Sequence, residues 1–308
     1  MSDAMAPSEV SDPDDGMMPL LPITTPATLE ACRTLNLDEQ RTVFACSHPK
    51  SGTTWLQAML YEIVTKGELA LDHISNYSPF YESAATWDFR DGGASISPRF
   101  SSGHDAIGWR MFNTHLWWSL MPKAGDGARF VYVLRSPRDA CASFWHHLSH
   151  QAVEDGGYEG SLDAFVRDWA EGRIAFGRWT DHINSWLRPD AETLATAARD
   201  PRVLVLSYED MKRDIRASTV AVAKHIGVNL TASQVDAIVP KLAFEHMKAN
   251  NERFAPRSVR WRDRGDGFQF VREGRVGGSK ALFNAEQMAT LDRMLARARL
   301  PPCVAHLL

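Results

Sequence analysis

Short apolar runs rich in β-branched residues recur at Arg41–Ser47, Trp109–Thr114, Arg129–Leu134 and Arg202–Ser207, with helix-length segments between them. That alternation predicts an α/β fold, a parallel sheet flanked by helices on both faces. The run Phe130-Val131-Tyr132-Val133-Leu134 is apolar at every position, as a strand covered on both faces must be, and is read as central. Apolar positions return at helical spacing over Thr54–Lys66, Ser161–Ala170, Phe176–Leu187 and Ala285–Ala298, the last opened by Asn284 as an N-cap. Two stretches follow neither period. Residues 71–107, with Pro79, Gly92, Gly93, Pro98 and Gly103 among aromatics, are expected to form a long irregular loop. Residues 252–279 carry Arg253, Arg257, Arg260, Arg262, Arg264, Arg272 and Arg275 among glycines. Irregular segments of this length are commonly functional.

Composition narrows the class. With 308 residues, 44% of them hydrophobic and 23% charged, the chain suffices for one large α/β domain and is too short for two comfortable ones. A single domain over 26–308 is expected, behind a flexible N-terminal tail of residues 1–25 that is acidic and rich in Pro, Ser and Met. The net charge of -4 speaks against a general nucleic-acid binder, which needs a basic field, but a nucleotide ligand needs only local positive charge. No run of eighteen apolar residues occurs, and no basic segment leads into an apolar one at the start, so neither a membrane span nor a secretory signal is expected. Cys32, Cys46, Cys141 and Cys303 lack C-x-x-C spacing and read as thiols of a reducing, cytoplasmic compartment.

The chemistry concentrates where the first strand ends. After Phe44-Ala45-Cys46-Ser47, the chain turns through His48-Pro49-Lys50-Ser51-Gly52-Thr53-Thr54-Trp55 into a helix-forming segment. Gly52 permits close backbone approach, and the N–H groups of Ser51 to Thr54 open a helix whose dipole favours an anion. Lys50 adds a point charge. The Walker A order is not followed, because the first glycine is missing and the lysine precedes the glycine. This is a variant phosphate loop. The third strand ends in Arg135, with Ser143 eight residues on in the following helix, a pair able to converge on one phosphate. His115 ends the Trp109–Thr114 strand, where an imidazole of ordinary pKa about 6.5 could take a proton at neutral pH.

The segment Pro49-Lys50-Ser51-Gly52-Thr53-Thr54-Trp55 resembles the 5′-phosphosulfate loop of sulfotransferases that use 3′-phosphoadenosine 5′-phosphosulfate (PAPS). The likeness runs from about residue 40 to 290. Arg135 to Ser143 is similar to the family's 3′-phosphate segment, and Tyr208-Glu209-Asp210-Met211 to a box whose tyrosine lies near the adenine. Phe244-Glu245-His246-Met247-Lys248-Ala249-Asn250 matches Phe-x-x-Met-x-x-Asn, whose phenylalanine sandwiches the purine with the loop tryptophan, here Trp55. Of the Arg-Lys-Gly-x-x-Gly-Asp-Trp-Lys motif that grips the 3′-phosphate, Arg272, Gly274, Gly277 and Lys280 remain; Glu273 replaces a basic residue, so it either points away or is compensated by Arg275. His115 falls where the family has Lys-Thr-His, with Asn113 in place of the lysine. Phe176-Gly177-Arg178-Trp179 through Trp186 follows another family helix, and Pro79-Phe80-Tyr81-Glu82 a Pro-aromatic gate to the acceptor pocket.

The resemblance implies a PAPS-dependent sulfotransferase with a P-loop-like fold, PAP as its product and no metal. His115 would be the general base and Lys50 the catalytic cation. Lys50, Ser51, Gly52, Thr53, Thr54, Trp55, Arg135, Ser143, Tyr208, Phe244, Arg272 and Gly274 would hold the nucleotide. The acceptor would be a small molecule bearing a hydroxyl or amine, with no nucleic-acid or membrane partner. The family dimer motif is only partly present, which leaves monomer or homodimer open. Two alternatives stand beside this reading: a P-loop-type small-molecule or nucleotide kinase, and a protein that binds PAP or PAPS without catalysis.

Overall fold

The computed structural model describes residues 18–38, 40–90, 93–265 and 267–308. Six strands are present among the described residues: β1 (Thr42–Ser47), β2 (Trp87–Asp88), β3 (Ser95–Ile96), β4 (Arg110–Thr114), β5 (Ala128–Leu134) and β6 (Val203–Ser207). β2 and β3 form a small antiparallel pair, while the main sheet has the order β4-β1-β5-β6. All its pairings are parallel. The four apolar runs of the sequence are these four strands, with bounds moved by a residue.

The pleat divides the core in two. Phe44 and Cys46 of β1 join Phe130, Tyr132 and Leu134 of β5 in one apolar cluster. Val43 and Ala45 join Val131 and Val133 in another, on the opposite face. Helices cover both faces because successive strand side chains alternate and each set must be buried. The helix Thr53–Val64 covers the second cluster, and the helices Leu162–Ala170 and Ala285–Arg297 pack together over the first. Asn284 caps the latter in a capping box with Gln287.

Three local expectations change. The helix expected from Phe176 starts at Trp179, because Phe176 and Gly177 both take positive φ, at 73° and 71°, which a right-handed helix excludes. The 71–107 stretch is not irregular throughout: it holds a short helix at Ile74–Tyr77, the β2–β3 pair and a ten-residue helix at Pro98–Ile107. Pro98 does not break the chain's order but stands at the first helical position, where its fixed φ suits the helix and its missing N–H costs nothing. Gly92 lies outside the described residues.

The third change concerns the tail. Residues 1–17, with Asp12, Asp14 and Asp15, lie outside the described residues. Residues 18–25 are packed. Met18 and Leu21 are buried, Pro19 O accepts from Phe176 N–H at 2.6 Å, and Ile23 O accepts from Ala84 N–H at 2.9 Å. The acidic composition ends before Met18, and Leu20, Leu21, Pro22 and Ile23 supply apolar surface worth burying. Among the described residues, no helix is long and apolar enough to cross a membrane.

Candidate active site

The parallel strands deliver their carboxyl ends to one edge of the sheet, where an open α/β sheet places its ligands. β1 runs into the Lys50 loop, β4 into His115, β5 into Arg135 and β6 into the helix Tyr208–Arg213. One cleft is lined by all four junctions, together with the 252–279 segment.

At the first junction, Gly52 holds φ 109° and serves as N-cap of the helix Thr53–Val64 without any side-chain cap. The first-turn N–H groups are therefore left for a ligand. A Cβ at Gly52 would lie 2.8 Å from the Tyr208 ring, so backbone and ring approach closely only because this residue is glycine. Ser47 Oγ and Thr53 Oγ1 share a hydrogen bond of 2.6 Å that ties strand end to helix start. Ser51 Oγ is buried with no partner. Lys50 adopts φ 64°, and its Nζ lies 3.3 Å from His147 Nδ1 and 4.1 Å from the centre of the Phe270 ring. Burial, reinforced by the Arg135 and Arg272 guanidiniums, pulls its ammonium down to about 7.

Arg135 lies across the Tyr208 ring, its guanidinium carbon 4.6 Å from the ring centre, and donates to Lys50 O at 2.8 Å and Arg275 O at 3.2 Å. Its Nε is buried without a partner. Ser143 lines the same cleft. Trp55 meets Tyr208 edge-on at 5.4 Å and is fixed by its Nε1–H to Leu242 O at 2.9 Å. Phe244 leans on Gly274 so closely that a Cβ there would lie 2.3 Å from Phe244 Cδ2. Lys212 and Lys248 lie 5.5 and 5.8 Å from the centre of the Phe244 ring. Glu273 is compensated: it pairs with Arg272 and, at 2.6 Å, with Arg275 Nε. The described residues thus suit a phosphorylated nucleotide. An uncapped helix, an orphaned guanidinium N–H and the rings of Trp55, Tyr208 and Phe244 line one cleft, with the orphaned Ser51 hydroxyl beside it in the loop, and both glycines stand where a side chain would collide.

His115 is held at three points. Its backbone N–H donates to Glu82 Oε1 at 2.7 Å, its carbonyl accepts from His182 Nε2 at 2.9 Å, and its Nδ1 lies 2.8 Å from Ser47 O. A carbonyl only accepts, so Nδ1 carries the proton and Nε2 keeps a free lone pair. Phe80 and Phe176 flank the ring at 5.7 and 5.2 Å. Burial draws the imidazole down to about 4, with the Ser47 bond opposing and the Lys50 charge assisting. It is therefore neutral at physiological pH, with Nε2 unprotonated. Asn113, in the lysine's place, turns its side chain to Ser78 O at 2.8 Å.

Every site residue named from the sequence lies in or beside this cleft. Others were missed. Glu82 is fully buried and pushed up to about 8 by burial, against the His115 N–H and Thr114 hydroxyl that bind it. Tyr132 donates to His182 Nδ1 at 2.7 Å, which directs the Nε2–H of His182 to His115. Asp139 accepts from Gly277 N–H at 2.6 Å and Ser279 N–H at 3.0 Å, anchoring the glycine-rich stretch. A signal existed for Asp139, and for His147 beside Lys50: with Ser143 they recur every fourth residue on the helix Pro137–Leu148 and share a face. Glu82 and His182 fall within the Pro79–Glu82 and Phe176–Trp186 likenesses, which give neither of them a role.

A family model for the sulfotransferase domain matches residues 40–299. The chain is 26% identical over 279 residues to a 3-alpha-hydroxysteroid sulfotransferase of Cavia porcellus, covering 88% of each chain. It is 31% identical over 265 residues to an amine sulfotransferase of Oryctolagus cuniculus, covering 82% of this chain and 78% of the relative. Among solved structures, a mouse sulfotransferase complexed with PAP superposes with TM-score 0.64 at 22% identity over 89% of both chains. A retinol dehydratase in complex with androsterone and inactive cofactor PAP gives 0.64 at 20% identity over 89% of this chain and 85% of its own. These structural likenesses concern the fold. The phosphate loop, the strand-end histidine and the match across most of the sequence together place the chain in the sulfotransferase family, as a transferase.

Proposed function

We propose that the protein transfers a sulfuryl group from PAPS to a hydroxyl or amine of a small-molecule acceptor, with His115 as general base. The observation that carries this is the fixed tautomer of His115: Nδ1 is spent on Ser47 O, so the basic Nε2 is the atom left for an acceptor in the cleft that Lys50 also lines. In the transfer, the acceptor oxygen or nitrogen forms its bond to sulfur as the bond from sulfur to the 5′-phosphate oxygen breaks. The acceptor proton passes to His115 Nε2, and the electron pair leaves on the phosphate. Lys50 and the helix N-terminus at Gly52 stand where that negative charge grows, as oriented donors do in other group transfers. Arg135, Ser143 and Arg272 bind the 3′-phosphate, and Trp55, Tyr208 and Phe244 hold the adenine. Relatives named as steroid and amine sulfotransferases support a small-molecule acceptor.

The kinase alternative would want a carboxylate at the end of β5 for its metal, and Arg135 stands there. Against a silent binding protein stands the three-point clamp on His115, which nucleotide binding alone would not require. The four free, buried cysteines support a cytoplasmic setting, and we place the enzyme there as a monomer or homodimer. Cell fractionation and sedimentation check both. The deciding experiment is a thermal-shift panel of ATP with Mg²⁺, PAP and PAPS, followed by radiolabelled sulfuryl transfer onto pooled acceptors with and without EDTA. Stabilisation by PAP with EDTA-insensitive transfer supports the reading. Preference for ATP with Mg²⁺ would replace it with the kinase, and PAP binding without transfer onto any pool would leave a binding protein.

A further inference from the structure

The cleft bears positive charge beyond the Lys50, Arg135 and Arg272 side chains assigned to the nucleotide. The carboxylates lining the cleft among the described residues are Asp139 and Glu273, and both are engaged. Asp139 is bonded to the Gly277 and Ser279 N–H groups, and Glu273 to Arg272 and Arg275. Neither is left to meet a cationic ligand.

Two arginines line the cleft from separate elements: Arg99 from the first turn of the helix Pro98–Ile107, and Arg257 from the irregular 252–279 segment. Neither side chain makes an ion pair or hydrogen bond among the described residues; Arg99 only lies over the Phe100 ring, 5.2 Å from its centre. Both act electrostatically on one residue, His73. Buried His73 is held below its ordinary value first by burial and then by Arg257, with Arg99 acting in the same sense. Asp72, the neighbouring acid, is occupied by His73 N–H at 2.6 Å and Asn76 Nδ2 at 2.8 Å. Around His115 the cleft is aromatic, with Phe80 and Phe176 against the imidazole. An apolar wall with a few convergent polar groups is how small-ligand sites fix orientation.

Resting on the sulfuryl-transfer reading, we infer that the acceptor is an apolar or aromatic hydroxyl compound carrying an anionic group, such as a carboxylate, at the end remote from the hydroxyl. The hydroxyl lies at His115 and the anion between Arg99 and Arg257. A protonated amine meets positive charge at Lys50 and at the two arginines and no free carboxylate, so amine acceptors are selected against. Discrimination by such repulsion is as effective as discrimination by attraction.

The test uses ω-(4-hydroxyphenyl)alkanoates of graded chain length, their methyl esters and the matching ω-amines, which share the phenol and differ in tail charge. Affinity is measured by calorimetry with PAP-saturated full-length protein, and turnover with PAPS. The carboxylates should bind about tenfold tighter than the amines at their best chain length, the size expected of two solvent-exposed charge pairs, with the esters between. Arg99→Gln and Arg257→Gln should each shrink that ratio by about threefold without changing PAP affinity. Equal or reversed affinities, no binding of any carboxylate, or an unchanged ratio in both variants would overturn the inference. Failure of the sulfuryl-transfer reading looks different: the affinity order would hold, yet no label would pass to any tail class.

Discussion

Replacing Lys50 by Met keeps the length of the side chain and removes its charge. The ammonium is fixed beside the phosphate loop by the φ of 64° at its own backbone, by His147 at 3.3 Å and by the Phe270 ring. A full unit charge about 3 Å from the ammonium, at an effective dielectric constant of about 20, interacts by roughly 5 kcal/mol. If about half a charge develops on the leaving phosphate oxygen between ground and transition state, the differential part is about 2–3 kcal/mol. That corresponds to a loss of roughly 30- to 150-fold in kcat. The ground-state part is shared with Arg135 and the helix N-terminus, so the KM for PAPS should rise by only about 3- to 5-fold. Lys50 also predicts a pH profile. Its ammonium is pulled down to about 7 in the free protein, so the charged form is lost as pH rises through that value. The parent kcat/KM for PAPS should therefore fall above about pH 7, and the fall in kcat should come at higher pH, because the bound anion favours the charged lysine. Lys50→Met should show neither fall. Stopped assays of radiolabelled transfer from pH 5 to 9 measure both effects. A variant that changes only KM, or that keeps the alkaline fall of the parent, would refute the role given to Lys50.

Other substitutions separate the remaining roles. His115→Ala should lower kcat by about 10²–10⁴-fold with PAP affinity nearly intact, and steady-state rates within a few fold of the parent would remove it from the mechanism. Because His115 protonates only near 4, the parent should stay active on the acid side down to about that pH, whereas loss of kcat already near pH 6.5 would contradict its depressed value. Arg135→Ala should weaken PAP by about 10- to 100-fold and adenosine 5′-phosphosulfate, which lacks the 3′-phosphate, far less; equal losses by calorimetry would contradict the assignment. Gly274→Ala puts a Cβ within 2.3 Å of Phe244 Cδ2 at a backbone φ of 56°, so Phe244 must move and PAP binding should lose roughly 1–3 kcal/mol of stacking. PAP affinity within twofold of the parent, with an unchanged circular dichroism spectrum, would show that Phe244 does not stack on the base.

The four main strands were legible because a buried strand is an apolar, β-branched-rich run: β5 is wholly apolar over Phe130–Leu134, and β1, β4 and β6 carry shorter runs at Val43–Cys46, Met111–Phe112 and Val203–Leu206. Helix Ala285–Arg297 was legible for a similar reason, since its cap and spacing are local. The phosphate loop was legible because anion binding by backbone N–H groups needs only a strand, a glycine turn and a helix start in succession. What could not be read was every feature that joins distant segments. Pro98 looks like a breaker until the chain after it is seen to wind into a helix. Residues 18–25 look like tail until Phe176 N–H and Ala84 N–H are found bonded to Pro19 and Ile23.

His115 shows the division most plainly. Its residue type and strand-end position are properties of the sequence, but its competence is not. The tautomer comes from Ser47 O, the backbone orientation from Glu82 and His182, and the depressed basicity from burial beside Lys50. Each of those partners is chosen by packing, because a polar group carried into the interior must find whatever complementary group the fold brings within 3 Å, however far away it lies in the chain. Local pattern thus determined by itself the four main strands, the helix Ala285–Arg297 and where an anion could be cradled. Only the tertiary structure decided which proton His115 keeps and that Arg99 and Arg257 face one cleft, since those outcomes rest on contacts between segments whose separation no local pattern encodes.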